Sequence, residues 1–204
     1  MARKTKEGAQ ATRSLILDTA EVVFGERGVS GASLQQIAQA AGLTRGAIYW
    51  HFQDKPALFH AMMDRVRLPL EESPQSARDP ALADPLKHLR SMLVRALRRV
   101  AGDAQTQRVV GIAMHKVEYV GELTPLRDRH LAVREDCLAQ IEGQLRMARQ
   151  RGQIGRRVPV RTAARGLHAL IDGLILNWTL DPQAFDLVKA GVPVLDAYLA
   201  GLAA

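Results

Sequence analysis

Apolar residues recur at intervals of three and four almost from one end of the chain to the other, and no stretch keeps the strict alternation of a half-buried strand. The pattern predicts a first helix over 10–27, with Leu15, Ile16, Thr19, Ala20, Val23 and Phe24 on one stripe and Gly28 as its stop signal. Two short helices are predicted within SLQQIAQAAGLTRGAIYWHF. Ser33 and Gln36 have the spacing of a capping box, in which the serine hydroxyl accepts from the amide three residues on. Leu34, Ile37, Ala38 and Ala41 give the first of these helices its buried side, and Gly42 supplies a turn whose left-handed conformation penalises any side chain. Leu43 is expected as a buried hinge, Thr44 as the next cap, and Ile48 with Phe52 as the anchors of the second short helix.

A fourth helix opens at Asp54 and carries Leu58, Phe59, Met62, Met63, Val66 and Leu70, with Pro69 expected to bend or shorten it. The proline-rich stretch 71–85 reads as a linker. Longer helices are expected near 84–101, 104–120, 124–151, 160–180 and 184–202. The expected fold class is therefore all-α. It divides into a helix-turn-helix unit over 1–53, whose first nine residues form a basic tail, and a helical bundle over 54–204.

The unusual element is the third helix. The chain has only four phenylalanines, three tyrosines and two tryptophans, yet Tyr49, Trp50 and Phe52 fall within four residues. With Ile48 and Phe52 turned inward, Thr44, Arg45, Gly46, Ala47, Tyr49, Trp50 and His51 are left as a polar and aromatic face. A helix of this kind fits the DNA major groove. Arg45 can fork onto guanine O6 and N7, Tyr49 and His51 can donate to phosphates, and Trp50 can lie along sugar or thymine methyl groups. Gly46 costs about 1 kcal/mol against alanine inside a helix, which makes sense if the backbone approaches a partner closely. Trp50 has a second reading, in which it packs back onto the first or fourth helix, and the residues leave both open. Lys4, Lys6 and Arg13 before the motif, and Lys55 after it, are placed for phosphate contacts.

Charge agrees with a polyanionic partner without naming one: the net value is +7 on 204 residues. Hydrophobic content of 47% suits a folded chain with a proper core. The single cysteine, Cys137, excludes an intrachain disulfide, suits a reducing compartment and is read as buried filler. The longest apolar run, LIDGLILNW, is interrupted by Asp172 and Asn177, and the basic start lacks the apolar core of a signal peptide, so a cytoplasmic location and no membrane partner are expected. There is no glycine-rich phosphate loop, no zinc-type spacing among the six histidines and no nucleophile motif, so no catalytic site, metal site or cofactor is expected.

These residues carry a family likeness. MARKTKE followed by TRSLILDTAEVVFGERGVSGASLQQIAQAAGLTRGAIYWHFQDKPALF resembles the DNA-binding domain of the TetR family of transcriptional regulators over roughly residues 3 to 60. With HKVEYVGEL, GLILNW and PQAFDL further on, the chain is similar to the AcrR-like repressors of multidrug efflux pumps. The resemblance implies about nine helices in an Ω-shaped homodimer. It also implies a pseudo-palindromic double-stranded operator, and release from it when a small hydrophobic or amphipathic effector enters the second domain. It places Thr44, Arg45, Gly46, Tyr49, Trp50, His51 and Lys55 at the DNA interface, with Ser33 and Gln36 against the backbone.

Helix 160–180 is apolar nearly all round, and the last helix adds a second rich face. Together they suggest a four-helix interface between two copies, through Leu167, His168, Ile171, Asp172, Leu174, Val192, Leu195, Tyr198 and Leu199. His168 and Asp172, four apart, are read as a polar pair there. A ligand cavity between helices would draw on Met63, Val66, Arg67, Leu93, Leu97, Val110, Met114, His115, Glu118, Ile171, Ile175 and Trp178. Arg67, if it faces the cavity, argues against a strongly cationic ligand. A dimeric regulator with no effector, and a helical small-molecule binding protein, remain as other readings.

Overall fold

Local signals set most of the helix ends. In the computed structural model, which describes residues 2–66, 68 and 84–203, Ser33 and Gln36 form the full capping box at the start of α2 (Leu34–Ala40). Gly42 takes φ 67°, where an L side chain is strained, and turns the chain toward α3 (Arg45–His51). The Ala47 amide donates to Thr44 Oγ1 at 3.2 Å, and the Ala57 amide to Asp54 Oδ1 at 2.7 Å, opening α3 and α4 (Lys55–Met63). Asp84 and Asp186 cap α5 (Pro85–Gly102) and α9 (Leu187–Ala200) in the same way. Helices α6 (Ala104–His115), α7 (Thr124–Gln150) and α8 (Val160–Leu180) complete nine α-helices among the described residues, with a short 3-10 turn at Gly121–Leu123.

Three elements differ from expectation. Helix α1 runs Ala2–Gly31, longer at both ends, but Gly28 breaks it with φ 73°. The break turns the Val29 amide onto the Lys116 carbonyl at 2.8 Å. Helix α4 stops at Met63; the Arg65 and Val66 amides bond back three residues instead of four, a tightened last turn. Pro69, Leu70 and the linker 71–83 lie outside the described residues. Helix α6 ends at His115 rather than near 120, because the following residues run on to give Val29 its acceptor and then turn at Gly121, φ 54°.

The helices form two compact units. One contains the described residues up to Val66 together with Arg108–Arg129; the other contains the described residues after Val66 as far as Gln107 and those from His130 onward. In the first, Ile16, Phe24, Ile37, Ile48, Leu58, Met62 and Leu123 are essentially inaccessible and form one apolar cluster. Leu17 belongs to that core, whereas Leu15 lies at the edge of the stripe and is 44% exposed. Leu43 is half-buried rather than buried. In the second unit, α5, α8 and α9 pack closely. Gly191 lets Leu97 sit directly on the α9 backbone, and Gly166 lies beneath the Tyr198 hydroxyl, which donates to the Ala163 carbonyl at 2.9 Å. Arg90 and Asp196 add a two-pronged ion pair at 2.5 and 2.8 Å.

Candidate nucleic-acid interface

Helix α3 is held from below and open above. Ile48 and Phe52, 0% and 4% exposed, fix it to the core, while Tyr49 and Trp50 stand 46% and 73% exposed. That exposure goes against the packed-back reading of Trp50, whose ring meets the His51 ring edge-on, at 4.5 Å and 90°. The Arg45 guanidinium rests over the Tyr49 ring at 5.4 Å. Such a contact contributes about 0.5–1 kcal/mol at an exposed site and limits the rotamers of a long side chain. At the other end of α3, the Arg13 guanidinium lies 5.2 Å from the Phe52 ring centre. Two guanidiniums thus rest on rings of this segment, Arg45 on the exposed Tyr49 and Arg13, from α1, on the buried Phe52.

Burial and then the charge of Arg13 hold the His51 imidazole below its ordinary pKa, so it is neutral near pH 7. A neutral imidazole keeps one N–H donor for a phosphate or base edge. Gly46 has no packing reason to lack a side chain, since a Cβ there would meet only Thr44 Oγ1 at 4.0 Å. Thr44, Arg45 and Gly46 are exposed and Ala47 is half-buried. Ser33 is exposed, but its hydroxyl and the Gln36 amide oxygen are engaged with each other in the cap. Lys6 is exposed; the side chain of Lys4 lies outside the described residues.

Lys55 departs from its expected place. Its side chain is 7% exposed, and the ammonium donates to the Ser30 carbonyl at 3.1 Å and the Ala32 carbonyl at 2.8 Å, with Glu122 Oε1 at 2.9 Å. It therefore does not reach outward to a phosphate. Not legible in the sequence was a carboxylate network joining α1, the residues after α4, and α6. Glu21, 2% exposed, lies between Arg65 at 2.9 Å and Arg108 at 3.4 Å; Arg65 also reaches Asp18 at 2.6 Å, and Arg129 pairs with Asp64. An acid inside an otherwise apolar stripe of α1 was the available signal, but its partners are 44 and 87 residues away.

The residues expected around a ligand fall into two groups. Met63, Val66, Val110, Met114, His115 and Glu118 belong to the first unit, and Leu93, Leu97, Ile171, Ile175 and Trp178 to the second; Arg67 lies outside the described residues. Val66 is part of the first unit's apolar core, and Leu97 is pressed against Gly191. Glu118 lies beyond the end of α6, so it does not share a helical face with His115. Two clefts, of about 430 and 320 Å³, open elsewhere. The larger lies between α1 and α2 and is lined by Asp18, Val22, Glu26 and Gln36; the smaller lies between α7 and α8, beside Glu135 and Arg165. Among the described residues, no group of three histidine, cysteine or acidic side chains is placed to hold a metal ion.

The expected interface residues also need correction. Leu167, Ile171, Leu195 and Leu199 are at most 5% exposed within the single chain, because α8 and α9 turn those positions toward each other and α5. The outward apolar positions are Leu176, Leu180 and Val194, 42%, 72% and 41% exposed. Leu174, Val192 and Tyr198 are half-buried. His168 and Asp172 do pair, Nδ1 to Oδ2 at 3.1 Å, with Asp172 on the open side. None of the described helices is long and apolar enough to cross a membrane.

Comparison with known proteins agrees with this geometry. Residues 16–62 match the family of bacterial regulatory proteins called tetR, and residues 84–203 match the C-terminal region of MAATS-type transcriptional repressors. The HTH-type transcriptional repressor BepR of Brucella suis biovar 1 is 40% identical over 202 residues, covering 99% of this chain and 97% of that protein. The crystal structure of NalD, the secondary repressor of the MexAB-OprM multidrug efflux pump in Pseudomonas aeruginosa, superposes with a TM-score of 0.87 at 36% identity, covering 97% of this chain and 98% of NalD. SmeT, the repressor of the Stenotrophomonas maltophilia efflux pump SmeDEF, has been solved with triclosan; it superposes with a TM-score of 0.84 at 32% identity over 95% of this chain and 92% of SmeT.

Proposed function

The chain belongs to the TetR family of bacterial transcriptional regulators, and we propose that it represses a multidrug efflux operon and leaves its operator when a small apolar effector binds. The observation that carries the DNA-reading role is the outward face of α3, where Arg45, Tyr49 and Trp50 stand exposed on a helix locked from beneath by Ile48 and Phe52. A major groove covers such a face: Arg45 reads a guanine edge, and Tyr49 and Trp50 exchange water for sugar, methyl and phosphate contacts.

Two recognition helices are needed for a pseudo-palindromic site, so the working form is a homodimer. The exposed apolar residues Leu176, Leu180 and Val194 of α8 and α9 support an interface on that side. Residues 1–53 carry the DNA-reading function and 54–204 the effector and dimer functions. The effector is small and apolar or amphipathic; the capture of triclosan by SmeT supports that class. By linkage, it binds the DNA-free form more tightly than the DNA-bound form. The protein works in the cytoplasm, where the operator is.

The test is a mobility-shift titration of the full-length protein on duplex from upstream of its own gene, with triclosan and other apolar antimicrobials added in turn. Selective binding that at least one such compound reverses is the expected result. Selective binding that none of them alters removes the effector and leaves a plain repressor.

A further inference from the structure

We infer that Lys55 and Glu122 are positioning residues for operator binding, acting through the seating of α3 and α4, and that Lys55 makes no phosphate contact with its ammonium. The inference rests on the operator-binding reading above. An ammonium has three N–H donors. In Lys55 all three have acceptors: the carbonyls of Ser30 and Ala32 at 3.1 and 2.8 Å and the Glu122 carboxylate at 2.9 Å. With a side chain only 7% exposed and each donor engaged, no donor remains over for a phosphate oxygen.

The place of each acceptor says what the contact does. Ser30 and Ala32 lie at the C-terminal end of α1, which carries no basic residue in its last turn, so Lys55 supplies the cation that this helix end lacks. Lys55 is also the first residue of α4, directly after the loop leaving α3. Glu122 comes from the 3-10 turn, more than sixty residues later in the chain. That turn is itself fixed: Leu123 is 1% exposed in the apolar core, and Thr124 Oγ1 donates to the Gly121 carbonyl at 2.9 Å. A second tie runs alongside, from the Val29 amide to the Lys116 carbonyl. The end of α1, the start of α4 and the segment Lys116–Leu123 therefore meet at one ammonium. Moving Glu122 moves the floor on which α3 stands.

A phosphate-contacting Lys55 and a positioning Lys55 predict opposite signs for Glu122→Gln. If Lys55 faced DNA, removing a nearby negative charge would strengthen binding. As a positioning pair, its removal leaves the buried ammonium short of a counter-charge and weakens operator binding, by about tenfold. Glu122 is 65% exposed, so this variant keeps the fold, to be checked by circular dichroism and melting temperature. Operator affinity is measured by fluorescence anisotropy at several salt concentrations on wild type, Glu122→Gln, Lys55→Met and the double variant.

The expected results are weaker binding by folded Glu122→Gln, little further loss in the double variant beyond Lys55→Met, and an unchanged salt slope in all of them. A lost phosphate contact would instead reduce the slope by about 0.9. Equal or tighter binding by Glu122→Gln, or a slope reduced in Lys55→Met, overturns this inference alone. A wild type that shows no selective binding overturns the operator reading and takes this inference with it.

Discussion

Gly46 sets helix stability against close approach to a partner in a single residue. A Cβ there meets nothing closer than 4.0 Å inside the chain, and alanine is favoured over glycine in a helix by about 1 kcal/mol. Gly46→Ala should therefore raise the melting temperature slightly while weakening operator binding, because the added methyl occupies space meant for DNA. Thermal unfolding and anisotropy on one sample check both signs; a variant that melts higher and binds equally well would make Gly46 an accident of sequence. The caps at Ser33, Thr44 and Asp54 and the turn at Gly42 were legible in the chain because each depends on residues within three or four positions. Lys55 was not, because its acceptors come from the end of α1 and from Glu122. A basic residue beside a recognition helix looks the same in sequence whether it faces DNA or the core.

At the scale of elements, helix–helix contacts rest on glycines at close approaches. Gly166 lies beneath the Tyr198 hydroxyl, so Gly166→Leu must displace that ring and its hydrogen bond to Ala163. Overpacking of this kind costs about 1–3 kcal/mol. The expected outcome is a lower urea midpoint with an unchanged slope of the transition; an unaltered midpoint would mean that α9 shifts freely on α8. The periodicity placed the helices well but not their ends, since α4 and α6 stop where long-range bonds take over: Arg65 turns to Asp18 and Glu21, and Lys116 serves Val29. The same limit applies to faces. An apolar stripe does not say whether it meets its own chain or a second copy, which is why Leu195 and Leu199 read as interface yet lie inside the protomer.

For the whole molecule, that distinction becomes a prediction about assembly. Val194→Asp with Leu176→Asp, at exposed positions, should give folded monomers by analytical sedimentation, whereas Leu195→Asp, at 0% exposure, should unfold the chain. A double variant that still sediments as a dimer would place the interface elsewhere. A second whole-chain prediction concerns acid. His51 is held below the ordinary value of 6.5 by burial and then by Arg13; His60 is lowered by burial and then Arg129, with Asp64 and Asp54 opposing. The unfolded chain therefore takes up these protons first as the pH falls, so stability is whole above about 6.5 and declines below it. Urea midpoints at about pH 7.5 and about pH 5.5 should differ in that direction, and less so in His60→Gln; equal midpoints would contradict the assignment.

Whether the open face of α3 reads an operator is decided by fluorescence anisotropy of wild type and Tyr49→Ala. Duplex from upstream of the protein's own gene is compared with the same bases scrambled, at two salt concentrations. Wild type should prefer the natural duplex, and Tyr49→Ala, still folded and of unchanged assembly state, should lose the preference. A folded Tyr49→Ala that binds the natural duplex as tightly and as selectively as wild type would contradict that role for α3.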